Sequence, residues 1–202
     1  MTPAGRPCLV AAMDERRDDG GAIELLAAAA DDAAAREAVL RITRAAFRID
    51  PVTGVRIAGD TPPELPLVEA LFARGAVDHL HLAAEDGRIA AYVLYARGRS
   101  AGDPGLRVQG LVIMGVEPAR QRRGIGTRLL RWSVDRLRGA CDLAIVLGHP
   151  AFYARAGFVE ARSLGLEFPY PAPPAACRAA VLGDRPIAPG AVAYHPIVDE
   201  FV

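Results

Sequence analysis

The sequence predicts an α/β chain, of the α+β kind, built on one mixed sheet. In it an antiparallel meander is followed by a βαβ unit. Three observations predict this. Val77 to Glu85 and Ile89 to Ala96 are strand-like runs on either side of Asp86-Gly87, a hairpin turn signal. Leu111 to Val116 is an apolar, β-branched run that passes through glycines into a helical pattern, and Leu143 to Leu147 is a second such run beyond it. The helical pattern between them carries two stripes, Ile125, Leu129, Trp132 and Leu130, Val134, Leu137, a face broad enough to pack on a sheet. A helix between two strands is a crossover connection, so these strands should be parallel and the unit right-handed.

In chain order, residues 1–21 are expected to form a mobile leader and residues 22–202 one domain. Ala22 to Ala28 is the first strand. Asp31-Asp32 can cap a helix over Ala33 to Phe47, with Val39, Leu40, Thr43 and Phe47 at helical spacing. Residues 48–61 hold Pro, Gly and Asp and predict a loop. Pro62-Pro63 open a second helix, Glu64 to Arg74, with Leu67, Val68, Leu71 and Phe72 on its apolar side. Val77 to Glu85 is read as alternating, with Val77, His79 and His81 opposite Asp78, Leu80 and Leu82. After the hairpin, Arg97 to Gly105 is a connection and Leu106 to Glu117 the central strand. The crossover helix, 123–138, should stop at Gly139. A short helix at Pro150 to Ala156, a strand near Phe158, a Pro-rich loop after Leu166 and a last strand at Val192 to Ile197 complete the reading.

Composition excludes several classes. With 202 residues and 51% apolar content, the chain can bury a real core. Lys+Arg and Asp+Glu are both 24, giving net charge zero, which argues against a nucleic-acid or membrane-surface binder. Cys8, Cys141 and Cys177 are an odd set without metal-ligand spacing, so neither a disulfide framework nor a metal site is expected, and reduced thiols in a cytoplasm fit best. No apolar run approaches the roughly 18 residues of a membrane span.

The stretch Gly110 to Thr127 carries the chemistry. Glycine allows close backbone approach to a ligand, and the first amides of a helix are unpaired donors at the positive end of its dipole. Arg120, Arg122 and Arg123 add charge there. The site suits a phosphate or pyrophosphate. It is not a P-loop, since the chain has no lysine, and not a G-x-G-x-x-G fingerprint, since position 129 is Leu.

What fits is Q-x-x-G-x-G, Gln121 to Gly126, after Val116-Glu117-Pro118. This resembles the acetyl-CoA loop of the GNAT superfamily of N-acetyltransferases. Downstream, Phe152-Tyr153-Ala154-Arg155-Ala156-Gly157-Phe158 is similar to that family's F-Y-x-x-x-G-F signature, in the family's order. VLGHPAFYARAGF and the tail GLEFPYPAP resemble its YhbS-like branch.

The resemblance implies the GNAT fold, in which the central strand and the strand after the crossover helix splay apart and pantetheine lies in the gap. It implies backbone contacts from Met114, Gly115 and Val116, and pyrophosphate contacts around Gln121, Arg122, Arg123, Gly124, Ile125, Gly126 and Thr127. It makes Tyr153 the general acid for the leaving thiolate. Some relatives carry a glutamate base on the central strand; the matching position is Gly110, which has no side chain. His149, just after the following strand, is the other titratable candidate. The expected activity is transfer of acetyl from acetyl-CoA, a co-substrate, to a small-molecule or peptide amine by direct attack in a ternary complex, without metal. A homodimer is compatible with the fold. The alternatives are a silent CoA-binding module and a transferase of another acyl group.

Overall fold

The computed structural model describes residues 23–48 and 61–201. The expected leader and most of the 48–61 loop lie outside the described residues. Strand β1 (Ile23–Ala28) leads through a turn to helix α1 (Ala33–Ala46). The Asp32 side chain accepts from the Ala35 amide at 3.0 Å, an N-cap worth about 1 kcal/mol. Helix α2 (Glu64–Ala73) starts behind Pro63 and buries Leu65, Val68 and Leu71. Strands β2 (His79–Glu85) and β3 (Arg88–Arg97) form the hairpin, and positive φ at Asp86 (53°) and Gly87 (73°) makes the tight turn those residues favour.

Strand β4 (Arg99–Ser100) precedes the central strand β5 (Val108–Val116), which helix α3 (Ile125–Leu137) joins to β6 (Leu143–Leu147). Leu129, Leu130, Val134 and Leu137 of α3 are buried, each contributing about 1.5–3 kcal/mol. Helix α4 (Pro150–Tyr153) and a 3-10 turn lead to β7 (Val159–Glu160). Then come β8 (Leu166–Glu167), β9 (Cys177–Val181), β10 (Gly190–Ala193) and helix α5 (Pro196–Asp199).

Seven strands form one sheet in the order β1-β2-β3-β5-β6-β9-β7, and β4-β10-β8 form a second, small one. β1, β2, β3 and β5 are antiparallel neighbours in that order, the expected meander, and β5 and β6 are parallel, as a crossover requires. Helix α3 packs on one face of the large sheet, over Tyr95, Leu111, Ala144 and Val146. Helices α1 and α2 cover the first half of the opposite face, and the small sheet with α5 covers the rest around Leu143, Ile145 and Ala179.

Three sequence expectations change. β2 does not alternate between wet and dry faces: all of it beyond His79 is buried, because helices lie on both sides. The connection after Arg97 contains β4, whose partner is β10, nearly a hundred residues away. The last strand ends at Ala193, and Pro196 begins a helix, its first turn capped by His195 Nδ1, which accepts from the Ile197 amide at 3.2 Å. Strand β9, which the sequence did not suggest, separates β6 from β7.

Candidate active site

Strands β5 and β6 pair through only three residues each, Val108↔Leu143, Gln109↔Ala144 and Gly110↔Ile145. Beyond Gly110 they part. The other edge of β5 stays paired to β3 as far as Val116, so Leu111 to Val116 keep one open edge facing the gap. The divergence coincides with a register shift: Leu94 faces Ile113 and Tyr95 faces Leu111, which leaves Val112 as the extra, bulged residue. A uniformly apolar run gives no hint of that bulge.

The direction of each backbone group follows from the ladder. The Glu117 amide donates to Ala90 O at 2.8 Å, so Gly115 is turned toward β3 and the groups of Met114 and Val116 point into the gap. Gly115 matters differently from the expectation that its backbone would bond a ligand. A Cβ there would sit 2.7 Å from Tyr92 Cε1 and 3.1 Å from Ile42 Cγ2, so glycine lets α1 and Tyr92 close on the strand. The Val116 carbonyl accepts from Gln121 Nε2 at 3.1 Å, so the Gln121 side chain folds back and fixes the loop.

The loop itself is an uncapped helix start. Gly124 has φ 81° and no side chain caps α3. The amides of Arg122 to Thr127 find no acceptor among the described residues. Gly124 itself is exposed, Ile125 anchors the turn in the core, and Thr127 is half-buried. Gly126 lies where the two walls meet: its Cβ would stand 3.2 Å from Val116 Cγ2, 3.4 Å from Met114 Cε and 3.8 Å from Phe152 Cζ.

The three arginines differ. Arg123 forms an ion pair with Glu85 at 2.7 Å, and Arg120 contacts the same carboxylate, which is 3% exposed at the end of β2. Both guanidinium groups are therefore tied to Glu85, and Arg120 also to Glu117 at 3.2 Å. Arg122 is exposed, held at φ 60°, and has no ion pair among the described residues. Among the described residues it is the one of the three that no carboxylate holds.

On the far wall, Pro150 starts α4 and the His149 carbonyl accepts from the Phe152 and Tyr153 amides. This places Tyr153 against Phe152 and Phe158, with ring centroids 5.1 and 5.7 Å away. A Cβ at Gly148 would collide with the Tyr153 ring. Burial pushes the phenol up to about 12, and its hydroxyl makes no hydrogen bond among the described residues. His149 is exposed, and its side chain makes no capping bond.

Sequence reasoning missed Tyr194. Its hydroxyl accepts from the Leu147 amide at 2.6 Å, and its ring fills the space that a side chain at Gly110 would need. No local signal ties residue 194 to residue 110. Among the described residues no group of His, Cys, Asp and Glu side chains could hold a metal ion, and no helix is long and apolar enough to cross a membrane.

A family model described as "Acetyltransferase (GNAT) domain" matches residues 77–160, from the hairpin through β7. The uncharacterized N-acetyltransferase YjhQ of Escherichia coli (strain K12) is 34% identical over 97 residues, 46% of this chain and 52% of that protein. The match thus spans about half the length of that curated relative. The fold is similar to that of the GNAT family N-acetyltransferase YhbS from Escherichia coli, solved in complex with CoA. The TM-score is 0.76 at 21% identity, covering 93% of this chain and 97% of that one. It is also similar to a GNAT family acetyltransferase from Brucella melitensis in complex with acetyl-CoA. There the TM-score is 0.66 at 27% identity, covering 88% of this chain and 98% of that one.

Proposed function

We propose that this chain, whose residues 77–160 match a GNAT acetyltransferase domain, moves an acetyl group from acetyl-CoA to the amine of a small molecule or peptide, by direct attack in a ternary complex. The observation that carries this reading is the parting of β5 from β6 immediately beside an uncapped, glycine-hinged helix start. Pyrophosphate would rest on the amides of Gly124 to Thr127, with Arg122 beside it. Pantetheine would lie along the open edge of β5 and bond the groups of Met114 and Val116 as an added strand does. That the two structural relatives were solved with CoA and with acetyl-CoA supports a ligand of this class.

The reaction needs one bond made and one broken. The amine nitrogen attacks the thioester carbonyl carbon, a tetrahedral intermediate forms, and the carbon–sulfur bond breaks. An amide from the open β5 edge can hydrogen-bond the developing oxyanion. Tyr153 stays protonated at neutral pH because burial raises its pKa to about 12, so it can hydrogen-bond the departing sulfur and hand over its proton. The proton lost by the attacking nitrogen then balances the one the phenol gives up.

No side-chain base is assigned. Gly110 offers none, and His149 lies exposed outside the ring of packed groups. A primary amine with a pKa of about 10 pays roughly 4 kcal/mol to enter neutral at pH 7. Water or the bulk solvent takes that proton.

The test has two parts. CoA should raise the melting temperature, because a ligand that binds only the native state stabilises it. Release of free CoA thiol over a panel of amines should then mark turnover. The missing base at Gly110 favours one second reading, a CoA-binding module without catalysis. Thermal stabilisation together with silence across the whole amine panel would select it.

A further inference from the structure

Resting on the reading of the gap as an acyl-CoA site, we propose that Tyr194 is a specificity-determining residue that closes the acyl end of the cleft and restricts the transferred group to acetyl. The Gly148 amide donates to Ala176 O, on the β9 side, so the preceding Leu147 amide points toward β5. In a continued parallel ladder that amide would bond β5. Here it bonds the Tyr194 hydroxyl instead, at 2.6 Å, just past the last strand pair Gly110↔Ile145. The phenol therefore stands at the vertex of the gap, with its ring against Gly110.

The ligand's direction brings its reactive end to that vertex. The anion site is at the far end of the strand, where Val116 meets α3. From Val116 back to Gly110 the strand runs roughly 20 Å at about 3.3 Å per residue. A CoA arm laid along it from the pyrophosphate advances toward Tyr194, and an acyl chain extends that advance.

The plug is held from every side. The Tyr194 amide donates to the Tyr170 hydroxyl at 2.9 Å, and its carbonyl accepts from Arg99 Nε at 3.0 Å. The Tyr170 hydroxyl donates to Asp199 at 2.8 Å, and Asp199 is itself paired with Arg99. The rings of Phe168 and Tyr170 pack at 6.5 and 5.6 Å, and Tyr194 is 4% exposed. An acyl chain longer than acetyl has to displace a side chain anchored to β4, β6, α5 and the 168–170 loop. The glycine at 110 follows from the same arrangement: the space that could have held a side chain there is given to the ring.

The experiment compares CoA, acetyl-CoA, butanoyl-CoA and hexanoyl-CoA by thermal shift and by thiol release, for the wild type, Tyr194→Phe and Tyr194→Leu. The wild type and Tyr194→Phe, which keeps the ring, should prefer acetyl- over butanoyl-CoA by at least about 10-fold, the scale of discrimination a filled apolar pocket supplies per methylene. Tyr194→Leu should lose that preference while still binding CoA. A wild type that takes butanoyl-CoA as well as acetyl-CoA, or a folded Tyr194→Leu that keeps the wild-type ratio, overturns the proposal. Should Tyr194→Leu fail to fold, the wild-type and Tyr194→Phe series decide: a flat dependence on chain length overturns it, and a sharp fall after acetyl sustains it. Absence of any shift with CoA itself sinks the underlying CoA reading, and this one with it.

Discussion

The Glu85 carboxylate, at the end of β2, lies 2.7 Å from the Arg123 guanidinium and also holds Arg120. It couples the hairpin to the loop before α3 and holds two cations that would otherwise face the phosphates of the proposed CoA. A buried carboxylate is tolerated here because both partners neutralise it. Glu85→Gln should weaken CoA binding roughly 10-fold by loosening the loop, and should cost roughly 1–3 kcal/mol of stability, since Arg123 is half in water and its share is screened. Calorimetric titration with CoA checks the first and urea unfolding the second. Tighter CoA binding in the variant would mean that freed arginine charge outweighs loop geometry.

Two glycines give separable predictions. Gly124 sits at φ 81°, so Gly124→Ala pays about 1–2 kcal/mol for a left-handed conformation at the point where the amides must face the ligand. Gly126→Val instead pushes a branched side chain toward Val116, Met114 and Phe152, where the walls meet. Both should lower CoA affinity, Gly126→Val by more than 10-fold on the order-of-magnitude scale of a lost pocket contact. Circular dichroism should find both folded. A Gly126→Val protein with wild-type affinity would place the ligand elsewhere.

Tyr153→Phe keeps the ring that packs on Phe152, Phe158 and Gly148 and removes only the hydroxyl. The expected result is a kcat lower by on the order of 100-fold, the usual contribution of a positioned acid, with CoA affinity unchanged. Since the raised phenol keeps its proton well above neutral pH, the wild-type rate should show no loss from this group between pH 7 and about 10. Equal rates for the two proteins would remove Tyr153 from the chemistry.

His81 predicts a pH dependence of stability. It is buried between β2 and α3, its Nδ1 lies 2.9 Å from Ser133 Oγ, and Ser133 donates to Tyr95. Burial, then the neighbouring His79 and Arg136, lower its pKa to about 4. The unfolded chain, with an ordinary histidine pKa of about 6.5, binds the proton more readily. Stability is therefore full above about pH 6.5 and falls as pH drops toward 4, by roughly 3 kcal/mol from this residue. His81→Gln should flatten the slope of urea-unfolding free energy across that window.

How legible each part was depended on how local its cause was. The hairpin was readable because Asp86-Gly87 makes its own turn, and α1 because Asp32 caps it within three residues. The crossover was readable because the stripes on α3 and the run in β6 need each other. What stayed hidden was set at a distance. Cys177–Val181 has no strand signature, and it becomes one by completing the edge of β6. The alternation read in β2 did not show that both of its faces, His81 included, are buried under helices. In the site, the glycines of the loop and Tyr153 stood out through motif spacing. Gly110 looked only like a missing base, since Tyr194, which explains it, arrives from the small sheet.

The position of β9 has a consequence for how the molecule comes together during synthesis. Apart from β4, the strands before residue 117 form a meander that can assemble from neighbours in order. Strand β6 touches β5 through three residue pairs alone and gets its other flank from residues 177–181. A nascent chain emerging from the ribosome therefore builds the strand that leads into the glycine-hinged loop early, and completes the opposing side of the groove only as its final quarter arrives. Competence to hold a ligand is then a late event in the life of each polypeptide, and bound nucleotide would report completed folding better than secondary structure does.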